Sequence, residues 1–355
     1  MPMVHERAAV RAARLADAQE CKLIDGFVRQ HSDSTPFHLT GWLKGVETGT
    51  GQQAHCLIAE SKVNGIQGIL PLHKVRSPLF GRALVSSGFA VGGGILAINQ
   101  GVAERLAEEA WKLAEAENYP TLELRGGPLL HAPWIVKSDA HASFARPLTN
   151  DDEAELLAIP RKQRAEVRKG LDKDFVIAVG NARRDLEWHY RVYSESVRNL
   201  GTPVFPKALM AGVLGAFGDD ADILTVLHDG TPVASVLSLY HKGTVMPYWG
   251  GGVFAARALR ANDVMYYALM NHARRRGCVA FDFGRSKIGS GAFSFKKNWG
   301  FEPQPLSYAV RTAGGSEPRD INPNSPKYKA QIAIWQKLPL GVANLIGPWI
   351  AKGLG

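Results

Sequence analysis

The stretch 89–97 reads FAVGGGILA, and the stretch 247–255, which begins 158 residues later (247 minus 89), reads PYWGGGVFA. The same shift aligns the residues that follow. In each copy the triple glycine precedes a segment with apolar residues at helical spacing, and then a short alternating segment that ends in glycine, at 121–126 and 279–284. Each copy therefore predicts a strand, the triple glycine, a helix and a second strand.

A hairpin signal precedes each triple glycine. Asn64-Gly65 lies between two apolar runs in the first copy, and Asp229-Gly230 lies between two apolar runs in the second. Such pairs favour tight hairpins because both residues tolerate a positive φ. Since hairpin, strand, helix and strand recur in one order, the sequence predicts an internal duplication.

The predicted fold class is α+β, with a mixed sheet in each lobe instead of a doubly wound sheet of regular βαβ units. The predicted boundaries are 1–150 for an N-terminal lobe, 151–315 for a C-terminal lobe that carries the site, and 316–355 for a tail. The tail begins with a linker rich in Pro, Asn and Ser.

The rest of the tail, 327–355, is apolar and carries lysines. We expect Pro339, Gly341, Gly347 and Pro348 to interrupt it. Two interpretations stay open: the tail packs back on the lobes, or it lies on the inner membrane surface with its lysines at the lipid headgroups.

Composition sets broad limits on the class of protein. The net charge of +9 favours anionic partners without choosing among phosphate-bearing donors, nucleic acid and acidic lipid. Three scattered cysteines predict neither a disulfide framework nor a zinc site. The N-terminal residues lack the apolar core of a signal peptide, and no stretch has the ~20 apolar residues of a membrane helix. We therefore expect a cytoplasmic protein.

The second copy carries most of the polar specialisation. Its helix begins at 257–263 with RALRAND, where we expect Asn262 or Asp263 to cap the helix. Arg257 would add positive charge for an anionic ligand at the helix N-terminus. Tyr248, just before the second triple glycine, is also a candidate substrate-binding residue.

The next polar block, 281–301, reads FDFGRSKIGSGAFSFKKNWGF. Asp282 and Arg285 follow an apolar run, as expected for the rim of a site, although an Asp282–Arg285 ion pair that closes the turn is an equal alternative. Lys296 lies between aromatic residues. A lysine there can stabilise the oxyanion that forms when an amine attacks an ester or thioester, or it can be an ordinary lysine of an amphipathic segment. The triplet at 282–284 is not a kinase motif, because no HRD-type loop or glycine-rich lid precedes it.

A basic cluster opens the second lobe, and its candidate binding residues are Arg161, Lys162, Arg164 and Arg168. Positions 161, 164 and 168 share a helical face. That face can bind a phosphate-rich donor, a lipid-linked acceptor or tRNA, or it can simply be solvated. The sequence shows no Ser-His-Asp set, HExxH motif, P-loop or paired metal-ligand spacing. No metal site is therefore predicted, and chemistry would depend on positioning an amine beside an activated carbonyl.

The pattern DFGRS at 282–286, a glycine-rich stretch and FKKNWG at 295–300 resemble the C-terminal signature of the FemAB and FemX peptidyltransferases. The blocks at 159–170 and 322–328, IPRKQRAEVRKG and NPNSPKY, resemble the FemAB-like proteins that accompany bacterial PEP-CTERM/exosortase and exopolysaccharide systems. The likeness covers the second lobe and tail well and the first lobe loosely. It implies two acetyltransferase-type (GNAT) lobes in tandem, as the repeat also indicates.

The resemblance implies an N-acyltransferase or aminoacyltransferase that acts on an amine of a cell-envelope or exopolysaccharide precursor. It implies that Lys296 lies at the reaction centre. The general base would be either Asp282 or the substrate itself. The donor would be aminoacyl-tRNA or an acyl thioester, carried by coenzyme A or an acyl carrier protein, and no tightly bound cofactor is expected. The absent pyrophosphate loop of typical acetyltransferases argues against ordinary coenzyme A binding. The alternative function is a non-catalytic GNAT-like adaptor that binds membrane or glycan.

Overall fold

The structure, a computed structural model, describes residues 8–314 and 326–355, with the backbone alone at 326–330. These residues form two compact units. Unit one consists of 8–138, 307–314 and 352–355, and unit two consists of 139–306 and 326–351. The predicted linker at 316–326 lies outside the described residues except for Pro326, which begins the helix Pro326–Lys337.

The β-strands, in chain order, are β1 (Ala9–Ala12), β2 (Gln53–Ser61), β3 (Gly65–Ser77), β4 (Gly81–Ser86), β5 (Leu96–Ala97), β6 (Thr121–Arg125), β7 (Ile135–Pro147), β8 (Phe175–Gly180), β9 (Ala221–His228), β10 (Thr231–His241), β11 (Thr244–Gly252), β12 (Ala280–Lys287) and β13 (Pro303–Thr312). The α-helices are α1 (Ala18–Gln30), α2 (Thr40–Thr50), α3 (Gln100–Ala116), α4 (Asp152–Ala158), α5 (Arg161–Leu171), α6 (Arg183–Asn199), α7 (Lys207–Phe217), α8 (Ala256–Leu259), α9 (Ala261–Arg275), α10 (Gly291–Asn298), α11 (Pro326–Lys337) and α12 (Leu340–Ala351).

The two units repeat one order of elements, which confirms the predicted duplication. Unit one runs β1, α1, α2, β2, β3, β4, α3, β6, and unit two runs β8, α6, α7, β9, β10, β11, α9, β12. Within each, antiparallel neighbours precede one parallel pair, β4 with β6 and β11 with β12. The sheets are therefore mixed, as the sequence predicted.

Both predicted hairpins form. The Asp229-Gly230 turn joins β9 to β10 with φ values of 48° and 70°, and His228 pairs with Thr231 across it. Ser61 pairs with Gly65 in the first hairpin, where Gly65 has a φ of 62°. Only short-range turn chemistry is needed for these elements, so the sequence alone could predict them.

The last strand of each sheet comes from the other half of the sequence. β13 pairs with β6 from Tyr308↔Arg125 to Thr312↔Thr121, and β7 pairs with β12 from Ala280↔Pro147 onward. This exchange explains why the units differ from the predicted lobes, with a division near residue 138 instead of 150 and with 307–314 in unit one.

The first triple glycine does not follow a strand directly, which corrects the predicted strand at 89–91. β4 ends at Ser86, and Ser87 and Phe89 have φ values of 40° and 65°, so the chain leaves the sheet. A Cβ on Gly94 would overlap the carbonyl oxygen of Gly126. The glycines of unit one therefore form a loop that packs against backbone, whereas those of unit two end β11.

Helices cover both sheets with the apolar faces that their spacing predicted. In unit one, Val102, Leu106 and Ala110 of α3 are buried. In unit two, Val264 and Leu269 of α9 are buried and Ala268 is half-buried. Burial of such faces is the main source of helix stability. In the described part of the chain no helix is both long and apolar enough to cross a membrane.

The tail packs back on the protein, which is the first of its two predicted interpretations. α11 and α12 belong to unit two, and Asn344 donates from Nδ2 to Ser194 Oγ of α6 at 3.2 Å. Pro339 separates the two helices, but the expectation that Gly341, Gly347 and Pro348 interrupt the segment is wrong, since they lie inside α12. Packing of the small residues of α12 against unit two compensates for their poor helix propensity.

Replacing Gly94 by Ala should destabilise the protein by about 2–4 kcal/mol, because the methyl group would overlap a backbone oxygen that cannot rotate away. The measurement is urea-induced unfolding followed by circular dichroism. Gly101→Ala in α3 is the matched control: its added Cβ would meet Asn99 Oδ1 at an ordinary 3.6 Å, so we expect little change. Equal stability of the two variants would contradict the packing described for Gly94.

Candidate functional site

The parallel strands β11 and β12 separate after a short contact. They pair only at Thr244↔Ala280 and Val245↔Phe281, and then make no further backbone pairs with each other. β10 pairs with β11 with a shift of register after Leu237, which leaves Tyr248 as an extra residue, or β-bulge. Separated parallel strands leave facing backbone donors and acceptors that a ligand can use.

A second β-bulge distorts β12 at the separation. Asp282 is opposite Ala145 and Arg285 is opposite Ser143, so β12 contains one residue more than β7 here. Gly284 has a φ of 66°, and its N–H donates to Asp282 Oδ1 at 2.7 Å.

Lys296 connects α10 to this bulge. Its Nζ donates to the carbonyl oxygens of Phe283, Gly284 and Arg285 at 2.7, 3.1 and 3.0 Å. The side chain is only 9% exposed, and its Nζ lies 5.5 Å from the centre of the Phe144 ring. Since an ammonium group has three protons, each has an acceptor here. Lys296 can therefore donate a hydrogen bond to an acyl oxygen only if that oxygen replaces one of the three carbonyl acceptors.

Burial and neighbouring charges change the pKa values of this pair. Burial lowers the pKa of Lys296 to about 8, while Asp282 opposes that shift and Arg285 adds to it. Burial raises the pKa of Asp282, although the Gly284 N–H and Lys296 both oppose the rise. A raised carboxyl pKa makes Asp282 a better proton acceptor.

Aromatic residues, most of them from the two sequence motifs, pack on one another next to Lys296, whose Nζ lies 6.0 Å from the centre of the Phe283 ring. Phe283 lies 4.7 Å from Phe301 and 4.9 Å from Tyr266, measured between ring centres. Trp299 and Phe301 are fully buried. A Cβ on Gly300 would lie 3.1 Å from Pro160, so the motif at 295–300 meets the start of the block at 159–170. Most residues that define the resemblance therefore build the frame around Lys296.

Helix α5 covers the first turn of α9. Glu166 pairs with Arg260 at 2.8 Å, and Gln163 donates to Asp263 Oδ1 at 2.6 Å. A Cβ on Gly170 would lie 3.1 Å from the Arg260 carbonyl oxygen, so the two helices are close. A carboxylate thus lies beside the N-terminus that the sequence predicted as an anion site.

The predicted cap of α9 is wrong. Arg260 holds the N-cap position with a φ of 59°, and no side chain caps the helix. Asp263 is bound by Gln163, and Asn262 lies beside Gly252, where its buried Oδ1 has no hydrogen-bond partner. Arg257 is exposed on the one-turn helix α8. Position 262 therefore offers an unused acceptor at the end of β11.

The four basic residues of α5 divide into two groups. Arg164 donates from Nη1 to the Leu157 carbonyl oxygen at 3.0 Å and so ties α5 to α4. Arg161, Lys162 and Arg168 are exposed. We call these three the basic face. Their exposure is compatible both with ligand binding and with simple solvation.

Sequence reasoning missed the partners of the predicted residues. The three carbonyls that accept hydrogen bonds from Lys296 belong to the backbone, so the residue types at those positions do not indicate them. Phe144, under the ammonium group, comes from β7 and has no motif around it. One signal was available: Asp282 two residues before Gly284 is typical of an Asx turn, in which the carboxylate accepts a backbone N–H.

Comparisons with known proteins agree on the fold. Residues 160–297 match a family model described as an acetyltransferase (GNAT) domain. No curated protein sequence matches the chain. A crystal structure of FemX is similar with a TM-score of 0.66 at 15% identity, over 81% of this chain and 95% of that chain.

Two further solved structures have the same arrangement. The structure of L-PGS from Bacillus licheniformis has a TM-score of 0.53 at 16% identity, over 93% of this chain and 97% of that one. A tandem GNAT protein from the clavulanic acid biosynthesis pathway has a TM-score of 0.54 at 12% identity, over 87% and 100%. At such identities a likeness shows the fold, so the chain has a tandem GNAT-like fold with a GNAT domain in its second half.

Proposed function

We propose that the protein is an N-acyltransferase or aminoacyltransferase whose reaction takes place in unit two. The observation that carries the proposal is the separation of β11 and β12 beside the bulge that holds Asp282, Arg285 and Lys296. The match of residues 160–297 to the GNAT acetyltransferase domain supports it. The structural likeness to FemX supports an aminoacyl donor as one form of the reaction.

The reaction joins an amine to an activated carbonyl. The amine nitrogen forms a bond to the carbonyl carbon, the carbon–oxygen or carbon–sulfur bond to the carrier breaks, and the ammonium proton leaves to a base. Asp282 is the proposed base, since its pKa is raised and only one of its oxygens holds Gly284. Positive charge from Lys296 and Arg285 stabilises the developing oxyanion.

Several other residues are proposed to hold the two substrates. Asn262 Oδ1 accepts an N–H from the ligand, because it is buried without a partner. Tyr248, as the bulged residue of β11, turns its backbone out of the regular ladder beside the separation. Arg257, Arg164 and the basic face attract an anionic carrier, either charged tRNA or the phosphopantetheine arm of an acyl thioester.

The acceptor class follows from the resemblance noted in the sequence. We propose an amine of a cell-envelope or exopolysaccharide-related precursor, with the PEP-CTERM-associated proteins as the nearest analogy. No tightly bound cofactor is needed, because the donor brings its own activated carbonyl. We propose that the protein acts in the cytoplasm, because both kinds of donor are made there.

A non-catalytic adaptor that binds membrane or glycan is the second candidate function. It is favoured by the absence from the sequence of the glycine-rich pyrophosphate loop of typical acetyltransferases, which would otherwise bind an ordinary coenzyme A donor. The two functions differ in one observation. An adaptor binds its glycan or vesicle without releasing free carrier from any donor, whereas the enzyme releases carrier in proportion to the amide formed.

The stability of the Lys296 arrangement should depend on pH. The folded-state pKa of about 8 lies below the ordinary 10.5, so the folded protein releases this proton at a lower pH than the unfolded chain does. The free energy of unfolding of the wild type, relative to Lys296→Met, should therefore rise between about pH 8 and pH 10.5. The slope is at most about 1.4 kcal/mol per pH unit. Urea unfolding of both proteins from pH 7 to pH 10 measures it, and a pH-independent difference would contradict the lowered pKa.

Turnover should require the charge at position 296. In Lys296→Met, kcat at pH 7 should fall by about 100-fold or more, since a charged group near the oxyanion is lost. In the wild type, kcat should decline above about pH 8, where Lys296 loses its proton. Lys296→Arg stays charged and should move that decline to higher pH. Near-normal turnover of a folded Met variant would rule out a role in the reaction.

Donor binding should depend on the basic face. Replacing Arg161, Lys162 and Arg168 by Glu should weaken binding of the true donor on the order of tenfold or more, because three positive charges near an anionic carrier are reversed. The matched control replaces the exposed Lys22, Lys44 and Lys62 of unit one by Glu. A thermal-shift titration with acyl-CoA, acyl carrier protein, charged tRNA and uncharged tRNA measures both. Equal losses in the two triple variants would show a general charge effect and contradict the assigned face.

A further inference from the structure

Helix α12 buries small residues and exposes large apolar ones, whereas an ordinary surface helix buries its large apolar residues. The face against unit two consists of small residues, with Ala343, Gly347 and Ala351 buried. A Cβ on Gly347 would lie 3.1 Å from the Val204 backbone nitrogen, so the helix approaches the backbone closely. The fully buried positions of α12 are therefore all small residues, and its large apolar residues are half-buried or exposed.

The large apolar side chains of α12 point the other way. Val342, Leu345, Ile346 and Trp349 are 43%, 80%, 38% and 52% exposed, and their spacing of three, four and seven residues places them on one helical face. We call these four residues the tail face. A helix in water normally buries such a stripe, and a contiguous exposed one indicates a binding surface.

The charges around the tail face indicate its partner. No charged residue lies within α12, while Lys337 precedes it and Lys352 follows it. The whole chain carries a net charge of +9. Among the four side chains, only the Trp349 indole can form a hydrogen bond, so the face offers little for the polar rim of a protein interface. An apolar stripe with a tryptophan and flanking cations fits the boundary between headgroups and acyl chains.

We propose that the tail face binds the surface of an anionic phospholipid bilayer. The helix lies in the plane of the membrane, since α12 has 12 residues and a membrane-spanning helix needs about 20. Its apolar side chains enter the acyl boundary, and Lys337 and Lys352 contact the phosphates. The protein is thereby held at the membrane by a segment that unit two keeps folded before any lipid is present.

Vesicle flotation with the full chain tests this inference. The vesicles contain equal parts of phosphatidylglycerol and phosphatidylcholine, or phosphatidylcholine alone. The tail-face variant carries Leu345→Asp and Trp349→Ser. The matched control carries Val63→Asp and Leu129→Ser, two apolar residues of unit one with exposures of 79% and 61%. Thermal unfolding midpoints close to that of the wild type show that both variants are folded.

We expect the wild type and the control to float with the anionic vesicles, and the tail-face variant to lose binding by roughly tenfold or more. Wild type that stays with the soluble fraction, or a tail-face variant that floats like wild type, would overturn the proposal. So would sedimentation showing a wild-type dimer that the tail-face variant dissociates, because a second copy would then cover the face. None of these measurements uses acyl transfer, so the result is independent of the proposed reaction.

Discussion

The interaction on which the rest of unit two depends is the ammonium group of Lys296 held by three consecutive backbone carbonyls of β12. A β-bulge turns carbonyls out of the regular ladder, and a buried carbonyl without a donor costs about 1–3 kcal/mol. One lysine satisfies all three and ties α10 to the strand. The cost is the burial of a charge, which appears as the lowered pKa of Lys296.

This constraint explains the aromatic density of the segment. Burial disfavours the charged form of an ammonium group, so Lys296 keeps its proton at neutral pH because hydrogen bonds to three carbonyls, strong where water is excluded, offset that loss of solvation. Phe283, Phe295 and Trp299 pack on one another beside Lys296, with ring centres about 6 Å apart. Most residues of the motifs therefore stabilise one β-bulge. In the proposed reaction, only the few polar groups at the edge of that bulge take part in the chemistry.

Local features of the fold could be predicted from the sequence, whereas long-range pairings could not. The Asp229-Gly230 hairpin and the apolar faces of α3 and α9 depend on residues near one another in the chain. The exchange of β7 and β13 depends on free-energy differences between whole sheets, and neither strand carries a pattern that distinguishes its partner. From the sequence, Gly347 is expected to break a helix. The structure shows that a glycine fits inside the helix there because the Val204 backbone lies beside it.

For the site, the sequence likewise indicated individual residues but not their partners in space. Asp282 and Lys296 stand out by residue type and motif, but the partners of Lys296 are carbonyls, which every residue has. The cap of α9 failed for a different reason. A separate turn of helix, α8, ends in Arg260 with a left-handed φ, so the next helix starts one residue after it and Asn262 falls inside the helix.

The difference between the two copies is the strongest reason to place the chemistry in unit two. Gly94 and Gly252 occupy equivalent positions in the repeat, as do Gly126 and Gly284. In unit one, Gly94 packs against the Gly126 carbonyl, and Arg125 donates from Nη1 to the Ala90 carbonyl oxygen at 2.8 Å, so the loop closes on the last strand. In unit two, Gly252 packs instead against Ala256 and Asn262.

The space beyond the parallel pair is therefore filled by backbone in unit one, while unit two keeps its glycines within a strand that turns away from β12. Closing the gap in unit two would require its glycine segment to reach the carbonyls that Lys296 already holds. The Gly284 carbonyl, which corresponds to that of Gly126, instead accepts a hydrogen bond from Lys296 Nζ at 3.1 Å. Parallel strands that stop pairing beside a carboxyl group with a raised pKa fit the proposed reaction, in which an amine meets an activated carbonyl.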